Sequence, residues 1–282
     1  MKNELRGTYM ALKLMYITNK PEVAKIAELN GINIIFVDLE WIGKEERQHN
    51  VNSVKSNHTL EDVSIIRKTI SKAELLVRVN PLNPESKNEI DEVIKRGADI
   101  IMLPMFRTKK EVETFIKLVN GRCKVMLLAE TIDAMSNLKE IVKVRGIDYV
   151  HIGLNDLHLE LHKKFMFELL IDGTVEKMSE ILKNANIQFG FGGIARLDEG
   201  MLPARHILGE HYRLKSSMAI LSRSFYDSWL DNDIAEINRV FKYGIIEIRE
   251  YEQRLSKENM IFFVNNHKLI ENEIEHILSV KK

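Results

Sequence analysis

The chain has 282 residues, 45% hydrophobic and 29% charged, the composition of an ordinary globular protein long enough to bury a large core. Basic and acidic residues balance at 41 each, so no global field draws the chain onto nucleic acid or an anionic membrane, and small neutral or anionic substrates fit better. A single cysteine, Cys123, rules out an internal disulfide framework; with no signal-type apolar run at the start and no stretch near the roughly 20 apolar residues of a membrane span, a cytoplasmic protein is expected.

From the start to about residue 225, short β-branched apolar runs alternate with helical patterns, the signature of βα units around a parallel sheet. The predicted strands are TYMALKLM, NIIFVDLEW, LLVRVN, IIMLPM, KVMLLAE, YVHIGL, QFGFGG and SSMAILSR. Between them lie helices such as Pro21 to Gly31, opened by proline and closed by glycine, and Glu85 to Gly97, with Ile90, Val93 and Ile94 on one face. Near-continuous apolar strands mean a sheet covered on both faces, and eight units in this length favour closure into a (β/α)₈ barrel over an open doubly wound sheet. After Ser228 the pattern changes. Ile234, Ile237, Phe241, Ile248, Tyr251 and Leu255 follow a 3-4 spacing broken at Gly244, and a second apolar stretch runs from Met260 to Val264. The division is therefore a barrel over 1–228 and a C-terminal helical extension over 229–282. A helical hairpin packed on its own barrel and an arm packed on a neighbouring subunit both fit this stripe. The apolar run MIFFV favours a homo-oligomer that depends on the segment.

Barrel enzymes carry their chemistry on the loops after the strands. Read this way, the strands deliver Asp38, Glu40, Arg78, Asn80, Glu130, Asn155, Asp156, Arg196 and Arg223 to one face. Glu130 and Asp156 end adjacent strands, where two carboxylates can share a hard divalent cation whose other positions are filled by water or substrate oxygens. The alternative is that Glu130 favours the next helix's N-terminus and Asp156 caps a turn.

The segment AETIDAMSNLKEIVKVRGIDYVHIGLNDLHLEL, together with FVDLEW, LLVRVNPLN and RGADIIMLPMFRTKKEVETFI in the same order, resembles the HpcH/HpaI aldolase and citrate lyase β-subunit family over about residues 5–225. That resemblance implies a metal-dependent barrel acting on pyruvate, oxaloacetate or related 2-oxo acids by aldol or Claisen-type chemistry. It makes Glu130 and Asp156 the ligands of Mg2+ or Mn2+ and sets Arg78 against the substrate's oxo group. It also makes the backbone around Gly153, Leu154 and Asn155 the cradle of the substrate carboxylate, puts Glu40 near the metal through water, and has Asp38 orient its neighbours. The chemistry agrees: a cation chelated by a 2-oxo acid is a Lewis acid, and a guanidinium stabilises an enolate.

Two departures matter. In HpaI-type aldolases a histidine follows the glutamate of the second-strand motif and serves as acid and base; here that position is Trp41, as it is also without histidine in citrate-lyase-like members. The proton shuttle is then sought among His49, His58, His151 and His158, with His49 in GKEERQHN preferred. Trp41 either closes the pocket, stacks on substrate, or only packs. The second departure is GFGGIAR and LSRSF, which gather Arg196, Ser222, Arg223 and Ser224 where barrels commonly bind phosphate. A phosphorylated substrate is one reading; arginines paired with Asp198 or Glu199 are the other. The expected function is a metal-dependent carbon–carbon lyase working through an oxo-acid enolate. The alternatives are a citrate-lyase-like or phosphoenolpyruvate-using enzyme acting on a thioester or phosphorylated acid, and a catalytically silent oxo-acid-binding barrel.

Overall fold

The structure is a computed structural model that describes residues 11–43, 57–222, 225–226 and 233–280. Eight parallel strands close into a barrel in sequence order: β1 (Lys13–Ile17), β2 (Ile34–Asp38), β3 (Glu74–Arg78), β4 (Ile100–Leu103), β5 (Lys124–Ala129), β6 (Tyr149–Ile152), β7 (Gln188–Ile194) and β8 (Met218–Leu221), with β8 paired back onto β1. Each lies inside one of the eight predicted runs, except that β1 extends two residues beyond its run, β7 one residue beyond its run, and β3 starts one residue before its run.

The helices, in order, are α1 (Pro21–Leu29), α2 (Leu60–Thr69), α3 (Ser86–Lys95), α4 (Lys109–Val119), α5 (Ile132–Ile141), α6 (Leu154–Glu160), α7 (Glu168–Ile171), α8 (Thr174–Asn184), α9 (Ala204–Leu214), α10 (Ile234–Leu255) and α11 (Met260–Val280). Their starts follow local chemistry. Proline opens α1, while Thr59 with Asp62 and Thr108 with Glu111 form reciprocal capping boxes on α2 and α4. Thr131 caps α5, and Asp233 caps α10 through the amides of Ala235 and Glu236.

Two cores result from the period-two alternation of the strands. Met15, Ile34, Phe36, Leu76, Ile100, Met102, Met126, Leu128, Tyr149 and Met218 fill the barrel interior, while their neighbours Ile35, Val37, Leu75, Val77, Ile101, Leu127 and Val150 pack outward against the helices. The same alternation decides what reaches the mouth. Continuing the inward series Ile34, Phe36 gives Asp38; Leu76 gives Arg78; Met126, Leu128 gives Glu130.

Helix α10 packs against α1 and α9, its neighbours around the ring, and so takes the eighth place in the shell of helices. Its buried stripe of Ile237, Phe241, Ile245, Ile248 and Leu255 faces this chain's own barrel. Gly244, where the sequence pattern suggested a break, lies within a continuous helix: a Cβ there would meet the Phe225 ring at 2.9 Å, so the residue is small because an aromatic ring crosses it. Helix α11 lies outside the ring, over α9 and α7. Among the described residues no helix is long and apolar enough to cross a membrane.

Candidate active site

The strand ends bring together a charged cluster. Asp38 and Arg78 are register partners on β2 and β3, and their side chains meet in a two-pronged ion pair, Nε and one terminal nitrogen each donating at 2.8 Å. The second terminal nitrogen lies 3.3 Å from Glu40 Oε2. The Arg78 side chain is 14% exposed and those of Asp38 and Glu40 2% each, so the guanidinium is fixed in a largely desolvated fork rather than swinging in solvent. Burial works against its charge, but Asp38 and Glu40 outweigh it and hold the guanidinium well above the usual arginine range. Asp38 thus orients its neighbours: besides Arg78, its Oδ1 accepts the Glu40 amide at 3.2 Å.

Glu130 follows β5 and is 3% exposed. Its Oε1 accepts the Met105 amide at 3.1 Å, an amide aimed by a left-handed backbone at Met105 (φ 53°). Gly153 makes the space: a Cβ there would stand 2.7 Å from Glu130 Cβ and 3.1 Å from Oε2. Burial first, and then the Asp156 charge, push the Glu130 carboxyl well above the usual carboxylate range, with Arg78 pulling the other way. Asp156 lies in the first turn of α6, half-buried. Three carboxylates, Asp38, Glu40 and Glu130, thus act on one guanidinium, and the fourth, Asp156, acts on Glu130. Such an excess of buried negative charge fits a divalent cation. Among the described residues no three or more histidines, cysteines or acids converge as a ready ligand set, so Glu130 and Asp156 would leave most of a cation's positions to water or substrate oxygens.

The carboxylate cradle expected around Gly153, Leu154 and Asn155 is narrower than expected. The Gly153 amide donates to Ala129 O at 3.0 Å, continuing the barrel ladder, which leaves the first-turn amides of Leu154 and Asn155 as donors. Leu154 itself is buried, and a Cβ at Gly192 of β7 would meet its Cδ1 at 2.9 Å.

The candidate histidines divide. His49 lies outside the described residues. His58 Nδ1 accepts the Asp38 amide at 3.0 Å, and His158 Nδ1 bonds Leu154 O at 3.1 Å, so both tie backbone beside the site. His151 faces the barrel interior, its Nε2 3.1 Å from Gly192 O, and burial lowers its pKa to about 4, keeping it neutral. Among the described residues Trp41 is 70% exposed, and its amide and that of Ile42 both donate to Asn80 Oδ1 at 3.0 Å. At the proposed phosphate position, Arg196 pairs with Glu199 at 2.6 Å and Asp198 with Arg205. Arg223 and Ser224 lie outside the described residues.

Three contributors escaped the sequence reading: the Met105 amide, Glu89, which holds Asn80 Nδ2 at 2.8 Å, and Arg107, which spans Asp133 and Glu160 across the loops after β4, β5 and β6. A capping glutamate three residues into a helix is legible, whereas a backbone donor or a carboxylate nine residues from its partner has no spacing rule.

A family model described as HpcH/HpaI aldolase/citrate lyase matches residues 13–187. Among solved structures, an HpcH/HpaI aldolase from Desulfitobacterium hafniense DCB-2 aligns with 14% identity and a TM-score of 0.58, over 85% of this chain and 93% of its own. An HpcH/HpaI aldolase/citrate lyase family protein from Burkholderia cenocepacia J2315 aligns with 15% identity and a TM-score of 0.60, over 86% and 96%. The citrate synthase SbnG aligns with 14% identity and a TM-score of 0.60, over 86% and 94%. At these identities the structures support the barrel fold.

Proposed function

The chain belongs to the HpcH/HpaI aldolase/citrate lyase family, a family of carbon–carbon lyases, and from that premise we propose that it cleaves or forms a carbon–carbon bond beside a small 2-oxo acid such as pyruvate. The observation that carries this reading is the fixed Arg78 fork beside a buried Glu130 that faces the Asp156 charge. Glu130 and Asp156 would hold magnesium or manganese, which when bound supplies Lewis-acid polarisation of the oxo group. The residues supply the rest. The Leu154 and Asn155 amides bind the substrate carboxylate. When the bond next to the oxo acid breaks, its electron pair moves onto the oxo-acid fragment and charge gathers on the enolate oxygen. Arg78, already oriented by Asp38, has N–H groups left to donate there without reorganising. Glu40 acts on the proton through water, and His49 is the shuttle the sequence offers.

Trp41, in place of a proton-carrying side chain beside Glu40, favours one second reading: a citrate-lyase-like reaction on a thioester. A phosphorylated substrate is a further reading at Arg196, whose partly exposed pair with Glu199 at 2.6 Å a phosphate would have to displace. A homo-oligomer in the cytoplasm is the assembly and location that fit it.

Metal-dependent exchange of the methyl protons of pyruvate for deuterium, followed by proton NMR, tests the enolate chemistry whatever the second substrate is. Exchange should fall by two orders of magnitude or more in Arg78→Lys, because a point charge does not reproduce a planar fork, the loss typical of one oxyanion donor being about 100- to 1,000-fold. No exchange in the wild-type protein with either metal would sink the reading.

A further inference from the structure

Glu40 lies just beyond the end of β2, where the chain leaves the barrel. The Leu39 amide still joins the ladder, donating to Arg78 O at 2.9 Å. From there on, side chains hold the backbone. The Glu40 amide donates to Asp38 Oδ1 at 3.2 Å, and the amides of Trp41 and Ile42 converge on one oxygen, Asn80 Oδ1, at 3.0 Å each. Asn80 is buried and follows Arg78 by two residues. Glu89 of α3 decides which way its amide points. A carboxylate only accepts, so Nδ2 donates to Glu89 Oε1 at 2.8 Å and the oxygen is left facing the two backbone amides. Glu89 is placed in turn by the Asn80 backbone amide, which donates to it at 3.2 Å. Arg78 and Asn80 therefore divide one task. Arg78 holds side chains, Asp38 at 2.8 Å and Glu40 at 3.3 Å, while Asn80 holds the main chain that carries Glu40. The Glu40 contact is already long, so a shift of about 1 Å at the start of this loop would part the pair.

Resting on the carbon–carbon lyase reading, in which Arg78 stabilises the enolate and Glu40 acts on the proton, we infer that Asn80 is a positioning residue: by anchoring the amides of Trp41 and Ile42 it keeps the Glu40 carboxylate against Arg78. It touches no reacting atom. Its influence reaches the reaction through Glu40, so its loss slows the proton step. Binding of the oxo acid, whose carboxylate that reading gives to the Leu154 and Asn155 amides, is left nearly intact.

Reversing one hydrogen bond tests this. Asn80→Asp keeps an oxygen for both amides but sets a second carboxylate against Glu89; adding Glu89→Gln returns a donor to that contact, now from the other side. In metal-dependent deuterium exchange of pyruvate, Asn80→Asp should lower the saturating rate about 10- to 100-fold, the cost of a misplacement near 1 Å, while the half-saturating pyruvate concentration changes less than about twofold. Asn80→Asp/Glu89→Gln should recover most of the rate. A changed half-saturating concentration at an unchanged rate, or a double variant no faster than the single one, would overturn the inference. Should Asn80→Asp not fold, Asn80→Ser, which removes the acceptor without adding charge, carries the same kinetic expectation. A second measurement needs no turnover, and so tests Asn80 even where wild-type protein exchanges no deuterium and the lyase reading fails. The carboxyl carbon-13 resonance of Glu40, assigned by its loss in Glu40→Gln, should move in Asn80→Ser toward that of a solvated glutamate. An unmoved resonance refutes the proposal.

Discussion

Glu130 sits where an ionised carboxylate is costly to hold: it is 3% exposed and faces the Asp156 charge. Its carboxyl is raised in the folded chain, so the fold favours the protonated form, and stability is lost as pH rises from the unfolded value of 4.5 through the folded one. At neutral pH an ionised Glu130 therefore destabilises the metal-free protein, a cost that a bound cation would offset. Glu130→Gln should accordingly raise the melting temperature of the metal-free protein by a few degrees, at about 2–4 °C per kcal/mol for a chain of this size. The same variant should lose the rise that magnesium gives the wild type through linkage, and calorimetry should register no metal binding. A Glu130→Gln protein that is less stable without metal and still stabilised by it would remove Glu130 from the site. Asp38, Arg78 and Glu130 were legible in the sequence because period-two alternation carries each inward at the end of a buried strand. What the sequence hid is backbone: the Met105 amide that holds Glu130, and the Gly153 amide that the ladder consumes.

Strands buried on both faces read as unbroken apolar runs, and that is why all eight could be found while the role of the helices after them could not. The 3-4 stripe beyond Ser228 fitted a helix on its own barrel and an arm on a neighbour equally well, since both bury one face. The structure gives α10 to the barrel, latched by Glu252, whose buried carboxylate accepts the Leu12 amide at 2.8 Å and the Tyr212 hydroxyl at 3.2 Å. Association through the tail can then use α11 or the outer face of α10, where Tyr243 and Ile246 are exposed, and truncation before α11 tests the first. That helix is held partly by polar contacts, Asn266 Nδ2 to His206 O at 3.0 Å and His267 to Glu210 at 3.1 Å, and leaves Met260, Ile261 and Val264 exposed at its start. Removing residues 260–282 should leave a cooperatively melting barrel but shift light scattering from oligomer to monomer, whereas removing 229–282 should unfold the chain by uncovering the α10 stripe. An unchanged assembly without α11 would show that another surface joins the subunits.

Across the whole barrel the two ends differ in how they treat charge. At the mouth, carboxylates outnumber their partner, and the Asp156 charge opposes that of Glu130; at the opposite end a buried carboxylate is fully partnered. There Glu28, its side chain 2% exposed, reaches from α1 to the turn before β3 and accepts the amides of Ser71 and Lys72 at 2.6 Å each and of Ala73 at 3.0 Å, with Lys25 at 3.0 Å. Burial alone would raise its pKa, but the Lys72 and Ala73 amides, Lys25 and the Ser71 amide outweigh it and pull the group down to about 2. A carboxyl depressed in the fold contributes stability that is present above its unfolded pKa of 4.5 and lost as pH falls toward 2. A carboxyl held down at about 2 contributes up to about 3 kcal/mol at neutral pH, since each tenfold change in proton affinity is worth about 1.36 kcal/mol. Acid unfolding of the wild type also draws on other groups, His151 among them, so the discriminating quantity is a difference. Urea unfolding should find Glu28→Gln less stable than wild type by up to about 3 kcal/mol at pH 7, with the gap steady down to about pH 5 and closing between pH 4.5 and 2, where the wild-type carboxylate takes up its proton. A gap that stays constant through that window would mean that the loss comes from packing around the substituted side chain, and that the ionised clamp at Glu28 does not hold α1 to the floor of the barrel.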